Sequence, residues 1–270
     1  PGINPPVILG SDGAGICEGK EVVINPNINW GNNQKVQNDV YHILGLPTNG
    51  TFTEKVLVNK DRIHPKPKHL TLEQAAALPL GGMTAYRALI SRCQATKNDR
   101  ILISGIGGGV ALFAFQFAVA MGAEVWVTSG SEEKIQKAIR MGAKGGVNYK
   151  EENWHKKLGK ESGGFDVIID SAGGDGFPLL LKTCNAGARI AFYGGTRGNF
   201  TLNPQLIFWK QLSIFGSTMG SDQDFADMLD FVNEYKVVPV VDSVYDLAEA
   251  NEAFERMNKG LQFGKIVLKV

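Results

Sequence analysis

ILISGIGGGVALFAFQFAVAMGAEVWVTSGSEEK, residues 101–134, is the stretch whose reading decides the fold. The apolar run Ile101, Leu102 and Ile103 enters a glycine cluster and leaves as a longer amphipathic stretch, in which Val110, Phe113, Ala114, Phe117 and Ala118 recur at helical spacing. Gly122 ends that helix, and a second strand, 124–128, follows at once. The order is strand, phosphate turn, helix, strand. Glycines without a Cβ let the backbone turn sharply and approach a pyrophosphate, whose charge then sits at a helix N-terminus, so a dinucleotide is the natural ligand. The literal G-x-G-x-x-G is imperfect, because Val110 and Ala111 stand where its last glycine falls. The context of strand and helix carries the reading, with Gly107, Gly108, Gly109 and Val110 along the pyrophosphate.

The end of the second strand of such a unit reads the adenosine ribose. An acid there accepts from the 2′-hydroxyl of NAD and repels the 2′-phosphate of NADP. This chain has Thr128-Ser129-Gly130-Ser131 instead, and its first acids, Glu132 and Glu133, come where a new helix begins. Ser129 and Ser131 can donate to a phosphate and Lys134 can add a charge-assisted contact, which favours NADPH over NADH. The purely local reading makes Ser131 an N-cap, with Glu132 and Glu133 favouring the helix dipole. The two readings are compatible.

Working outward, strands are expected at 101–104, 124–128, 146–148, 166–170, 189–193 and 212–217, with helices between most of them. This rhythm implies an α/β domain with a mostly parallel sheet covered on both faces. The strands ending at Asp170 and Tyr193 deliver small residues, Gly195 among them, to the crevice at their carboxyl ends where open α/β sheets bind ligands. Asp170 is open to a catalytic role, but a polar residue closing a strand beside a turn is usually structural, and that reading is preferred. Residues 1 to 70 are rich in Asn, Gly, Pro and Lys and lack helical periodicity, which suggests an irregular β domain. One helix is expected from Thr71, as N-cap, to about Arg92. The tail gives helices at 225–235 and 247–257 and a last strand at 265–270 that returns to complete the β domain.

The 270 residues suit two domains or one large α/β unit. A net charge of +1, from 28 basic and 27 acidic residues, gives no electrostatic case for nucleic acid or an anionic membrane as partner. There is no apolar run of membrane-spanning length and no signal-like start, so a cytoplasmic location is the expectation. Cys17, Cys93 and Cys184 have no C-x-x-C spacing and read as buried thiols.

Together with the glycine loop, three segments carry a family resemblance over nearly the whole chain: Ile8-Leu9-Gly10-Ser11-Asp12-Gly13-Ala14-Gly15, Gly50-Thr51-Phe52-Thr53-Glu54, and Ala77-Leu78-Pro79-Leu80-Gly81-Gly82-Met83-Thr84-Ala85-Tyr86-Arg87-Ala88-Leu89. With Phe165-Asp166-Val167-Ile168-Ile169-Asp170 and the ending Gly264-Lys265-Ile266-Val267-Leu268, the chain resembles the medium-chain dehydrogenase/reductase superfamily, in its zinc-type alcohol dehydrogenase-like and quinone oxidoreductase-like branches. That resemblance implies a Rossmann doubly wound parallel sheet at 84–218. It also implies a split, irregular mainly-β (GroES-like) catalytic domain from 1–83 and 219–270, with hydride transfer in the cleft between the two. By the same match Thr84 lies near the nicotinamide, Ser129, Lys134 and Tyr149 reach the 2′-phosphate, and Gly195 and Lys265 join the cofactor-binding set.

The departures from the family matter as much. Zinc-dependent members place a Cys near the N-terminus, His-Glu at the segment matching Ser11-Asp12, and a Cys just before the segment matching Thr84, where this chain has Leu80-Gly81. The lobe that holds a structural zinc on four close cysteines corresponds to 26–45, which has none. No metal site is therefore expected. The family also begins before the segment matching Pro1, and Cys17 runs straight into Glu18-Gly19 where relatives have an intervening strand and turn, so segments are expected to be missing at both places.

Without zinc the Lewis acid that polarises an alcohol or ketone is gone, while quinones and α,β-unsaturated carbonyls need only a hydride at an electrophilic carbon and modest oxyanion stabilisation. The expectation is a zinc-independent NADPH-dependent reductase of a small quinone or enone, with Ser11 and Tyr86 as candidate catalytic donors to the substrate oxygen. Tyr86 also reads as a packed helix residue. The alternatives are an enoyl thioester or aldehyde reductase of the same fold, or a non-catalytic NADPH-binding sensor. An apolar last strand of the nucleotide domain, 212–217, points to a homodimer.

Overall fold

A computed structural model describes residues 6–270, so the expectation attached to Pro1 lies outside the described residues. The chain divides into two compact units, one of residues 1–83 with 219–270 and one of residues 84–218.

The first unit opens with β1 (Ala14–Cys17), β2 (Lys20–Ile24), the short β3 (Asn27–Ile28) and β4 (His42–Ile43), and β5 (Ile63–Pro65). β1, β2 and β5 form an antiparallel sheet in that order, and β3 pairs with β4. At Glu18-Gly19 the backbone turns within two residues, both at positive φ (50° and 75°), and Cys17 pairs directly with Lys20. That turn matches strand twist and closes a continuous hairpin.

The helix expected from Thr71 to Arg92 is three pieces: α1 (Leu72–Ala77), α2 (Pro79–Tyr86) and a π-helical segment at Arg87–Arg92. Thr71 caps α1 as expected, in a reciprocal box with Gln74. Pro79 has no N–H to continue the α1 ladder and instead serves as the first residue of α2. The division between the units falls inside α2, after Met83.

The second unit holds β6 (Arg100–Ile103), α3 (Gly109–Ala120), β7 (Glu124–Ser129), α4 (Glu132–Arg140), β8 (Gly145–Asn148), α5 (Trp154–Ser162), β9 (Phe165–Asp170), α6 (Phe177–Lys182), β10 (Cys184–Phe192), α7 (Pro204–Lys210) and β11 (Ser213–Gly216). Its six strands are all parallel, in the order β11-β10-β9-β6-β7-β8. The chain builds outward from β6 to β8, returns, and builds the other way from β9 to β11. This doubly wound α/β sheet has its switch point between β6 and β9. Side chains alternate across the strands: Leu102 and Ile168 face a core shared with Trp154, Leu158, Phe177 and Leu180.

The helix α3 differs from its expected amphipathic form. Leu112 and Phe115 are buried as well as Phe113, Ala114 and Phe117, so the helix is enclosed on almost every side. Tyr86 meets Phe117 edge-on at 6.4 Å between ring centroids.

The tail contributes α8 (Asp222–Tyr235), β12 (Val241–Asp246), α9 (Ala250–Asn258) and β13 (Lys265–Lys269) to the first unit. β13 pairs with β12 as a separate parallel pair and does not extend the β1-β2-β5 sheet. Among the described residues no helix is long and apolar enough to cross a membrane.

Candidate functional site

In the second unit the loop from β6 to α3 is stitched to the end of β7. Ile106 N–H donates to Thr128 O at 2.8 Å and Gly105 N–H to Thr128 Oγ1 at 3.2 Å. Gly107 sits at φ 116°, and the Lys134 side chain is folded over it so closely that a Cβ on Gly107 would fall 2.7 Å from Lys134 Cδ. Gly108 is the N-cap of α3. It supplies no side-chain cap, no acid stands in the first turn, and the space beside its Cα is open. The N–H groups that open a helix have no intrahelical acceptor, so Gly109 and Val110 present amides and the positive end of the dipole to an anion. These features fit a dinucleotide pyrophosphate.

The loop after β7 carries no acid before Glu132. Ser129 is buried, its hydroxyl donating to Ile106 O at 3.4 Å and accepting from Ser131 N–H at 3.2 Å, so it braces the glycine loop. Ser131 caps α4, accepting from Lys134 N–H at 3.4 Å. The local reading of Ser131 as an N-cap therefore holds in the geometry. Tyr149, just past β8, stands over Gly130: a Cβ there would meet its hydroxyl at 2.7 Å and Lys150 Cε at 2.9 Å. Arg197, from the loop after β10, places its guanidinium 5.1 Å from the Tyr149 ring centroid. The sequence reading missed Lys150 and Arg197. Lys150 directly follows Tyr149 and was open to inspection, whereas Arg197 comes from a strand four places away in the sheet.

Gly195 lies exposed in that same loop after β10, and Thr84, buried, is the first residue of the second unit. Asp170 is structural as expected. Ser104 donates to one carboxylate oxygen, and the other accepts the N–H groups of Ala172 and Gly173 at 3.1 and 2.8 Å, shaping the turn after β9.

In the first unit, Ser11 is half-buried on the loop before β1. That loop is held by Gly50 N–H to Ile8 O (2.7 Å) and Thr51 N–H to Gly10 O (2.9 Å). Its neighbour Asp12 is fully engaged: Oδ1 accepts from Leu80 N–H at 2.6 Å and Oδ2 pairs with Lys265 Nζ at 2.8 Å. Lys265 is thus committed to a carboxylate within its own unit.

No group of three or more His, Cys, Asp or Glu among the described residues is placed to hold a metal ion. The donor set does not fit a zinc ion. In the second unit, the Cys93 and Cys184 thiols are buried, which pushes both up to about 12. In the lobe at 26–45, Trp30 is buried and packs edge-on against Tyr41 at 5.3 Å, supplying an aromatic centre to the cysteine-free segment.

The family model described as zinc-binding dehydrogenase matches residues 109–234. A zinc-type alcohol dehydrogenase-like protein, YogA, of Leptosphaeria maculans is 34% identical over 269 residues, covering 93% of this chain and 75% of that protein. The chain belongs to the medium-chain dehydrogenase/reductase superfamily. As a member it is an oxidoreductase chain, and its mouse relative is a quinone oxidoreductase, 34% identical over 81% of this chain and 69% of that one. The crystal structure of an NAD-dependent alcohol dehydrogenase superposes with a TM-score of 0.91 at 36% identity, covering 99% of this chain and 84% of that one. Both units of this medium-chain dehydrogenase/reductase chain are included in that match.

Proposed function

We propose that the chain is an NADPH-dependent reductase that transfers hydride to quinones or α,β-unsaturated carbonyls without zinc. The observation that carries the reading is the commitment of Asp12 to Leu80 and Lys265, at the positions where a zinc-dependent relative would need ligands. Acceptors that are already electrophilic at carbon do not need a Lewis acid. Bound NADPH supplies the hydride. The uncapped N-terminus of α3 and Gly107 to Val110 hold its pyrophosphate, and Lys134 and Tyr149 face its adenosine end beside the acid-free loop after β7. Ser11 is the candidate donor to the acceptor oxygen, with water completing protonation. Tyr86, turned onto Phe117, fits the packing role better. The solved NAD-dependent relative makes the cofactor preference the first point to test.

The protein works as a homodimer in this reading. β11 is the last strand of its sheet, and Phe208 and Trp209 on the adjoining α7 are 62% and 84% exposed. An apolar strand edge of this kind is protected by pairing.

The test is a fluorescence titration with NADPH and NADH, followed by turnover of a small quinone panel in chelator. Tight NADPH binding with chelator-resistant turnover is expected. Binding without turnover would turn the reading toward an NADPH sensor, and no binding of either cofactor would refute the glycine-loop assignment.

A further inference from the structure

The loop after β10 does something that the sheet order does not require. β10 and β8 are separated by β9, β6 and β7, so their ends lie roughly 19 Å apart at the usual strand spacing. Arg197 nevertheless reaches Tyr149, its guanidinium over the ring at 5.1 Å and Nη2 3.5 Å from the hydroxyl. Its backbone is held for that reach: Arg197 N–H donates to Ala172 O at 2.9 Å, and Gly174 N–H donates to Gly198 O at 3.0 Å, locking the loop to the turn after β9. The contact therefore joins the loop after β10 to the residue that follows β8.

Three cations gather there, since Lys150 lies over Gly130 and Lys134 over Gly107. Three acids of the flanking segments are turned to other partners. Glu133 pairs with Lys137 at 2.8 Å, Glu151 with Lys157 at 3.5 Å, and Glu132 accepts from Gln136 at 2.9 Å. Among the described residues neither Arg197 nor Lys150 has a carboxylate partner. Two cations with no carboxylate partner, Arg197 and Lys150, at the same end of the sheet concentrate anions. The pyrophosphate belongs to the N-terminus of α3. The end of β7 is where a dinucleotide places its 2′-oxygen, so an anion held beside Gly130 would be a 2′-phosphate.

We propose that Arg197, stacked on Tyr149 and joined by Lys150, is a specificity-determining residue that reads the 2′-phosphate from the opposite side of the crevice. The inference rests on the NADPH reading above and adds a contact from a different loop. A guanidinium suits a phosphate better than an ammonium does because it offers two parallel donors.

Isothermal titration of the full chain with adenosine 2′,5′-bisphosphate and with 5′-AMP tests it directly, since both are fragments that need no turnover. The wild type is expected to bind the bisphosphate more tightly. Arg197→Gln should shrink that ratio by roughly 10-fold or more, with 5′-AMP affinity unchanged within about 2-fold, and Arg197→Lys should restore part of it. An unchanged ratio in Arg197→Gln, or equal weakening of both fragments, would overturn the role of Arg197 while the wild-type preference kept the NADPH reading alive. A wild type that binds NADPH and NADH equally well and does not distinguish the fragments would overturn both.

Discussion

Lys134 lies across Gly107, and the two residues explain each other. A side chain at position 107 would have to displace the Lys134 stem and hold a φ of 116° that L-residues avoid. Gly107→Val should therefore weaken NADPH and NADH alike by at least roughly 10-fold, because the disturbed element is the shared pyrophosphate cradle and not the 2′ end. Fluorescence titration checks this, and undiminished binding of both would remove the pyrophosphate from this loop. A second residue-scale consequence concerns His64 in the first unit. Its ring meets Phe225 at 5.0 Å, and its Nε2 is buried with no hydrogen-bond partner. Burial, and then the Arg62 charge, hold its pKa below the ordinary imidazole value. A folded pKa lower than the unfolded one means that the unfolded chain takes up the proton first. Stability is then complete above about pH 6.5 and declines as pH falls below it toward the folded pKa. His64→Phe should flatten the pH dependence of Tm between about pH 7 and 5 relative to wild type. An unaltered slope would show that His64 does not set it.

At the scale of elements, the enclosure of α3 makes it the costliest helix to disturb. Phe117 is fully buried between its own helix and Tyr86, so Phe117→Ala should lower stability by about 3–5 kcal/mol in urea denaturation. A loss below about 1 kcal/mol would contradict the burial. The regular spacing of Val110, Phe113 and Phe117 was legible as a helix. That the intervening Leu112 and Phe115 were buried too was not, because the spacing of one face says nothing about what covers the other. Local signals did better where their chemistry is local. Thr71 caps α1, and the Ser221 to Asp224 box starts α8 at Asp222, three residues ahead of the expected start at Phe225. The split of the long helix at Pro79 was legible in the same way, since proline cannot donate to the preceding turn.

At the scale of the molecule, an outer strand and two exposed aromatic residues give the proposed homodimer its test. Trp209→Glu with Phe208→Ser should yield a monomer by light scattering while leaving cofactor affinity within about 2-fold, because neither residue is in the nucleotide site. A wild-type monomer would refute the dimer. The amino-acid sequence by itself determined the parallel α/β domain, its strands within one or two residues except at the start of β10, and the position of the glycine turn, because apolar periodicity and backbone stereochemistry act over neighbouring residues. The residues proposed for the adenosine end, and the contacts that hold both candidate sites, were only partly legible. Lys134 and Tyr149 stand next to strand ends in a readable motif, but the grip of Ser129 on Ile106 and the commitment of Asp12 to Lys265 join positions 23 and 253 residues apart. Tertiary structure alone decided those pairs, and the reach of Arg197 to Tyr149, because strand order rather than sequence order sets which loops meet over the crevice.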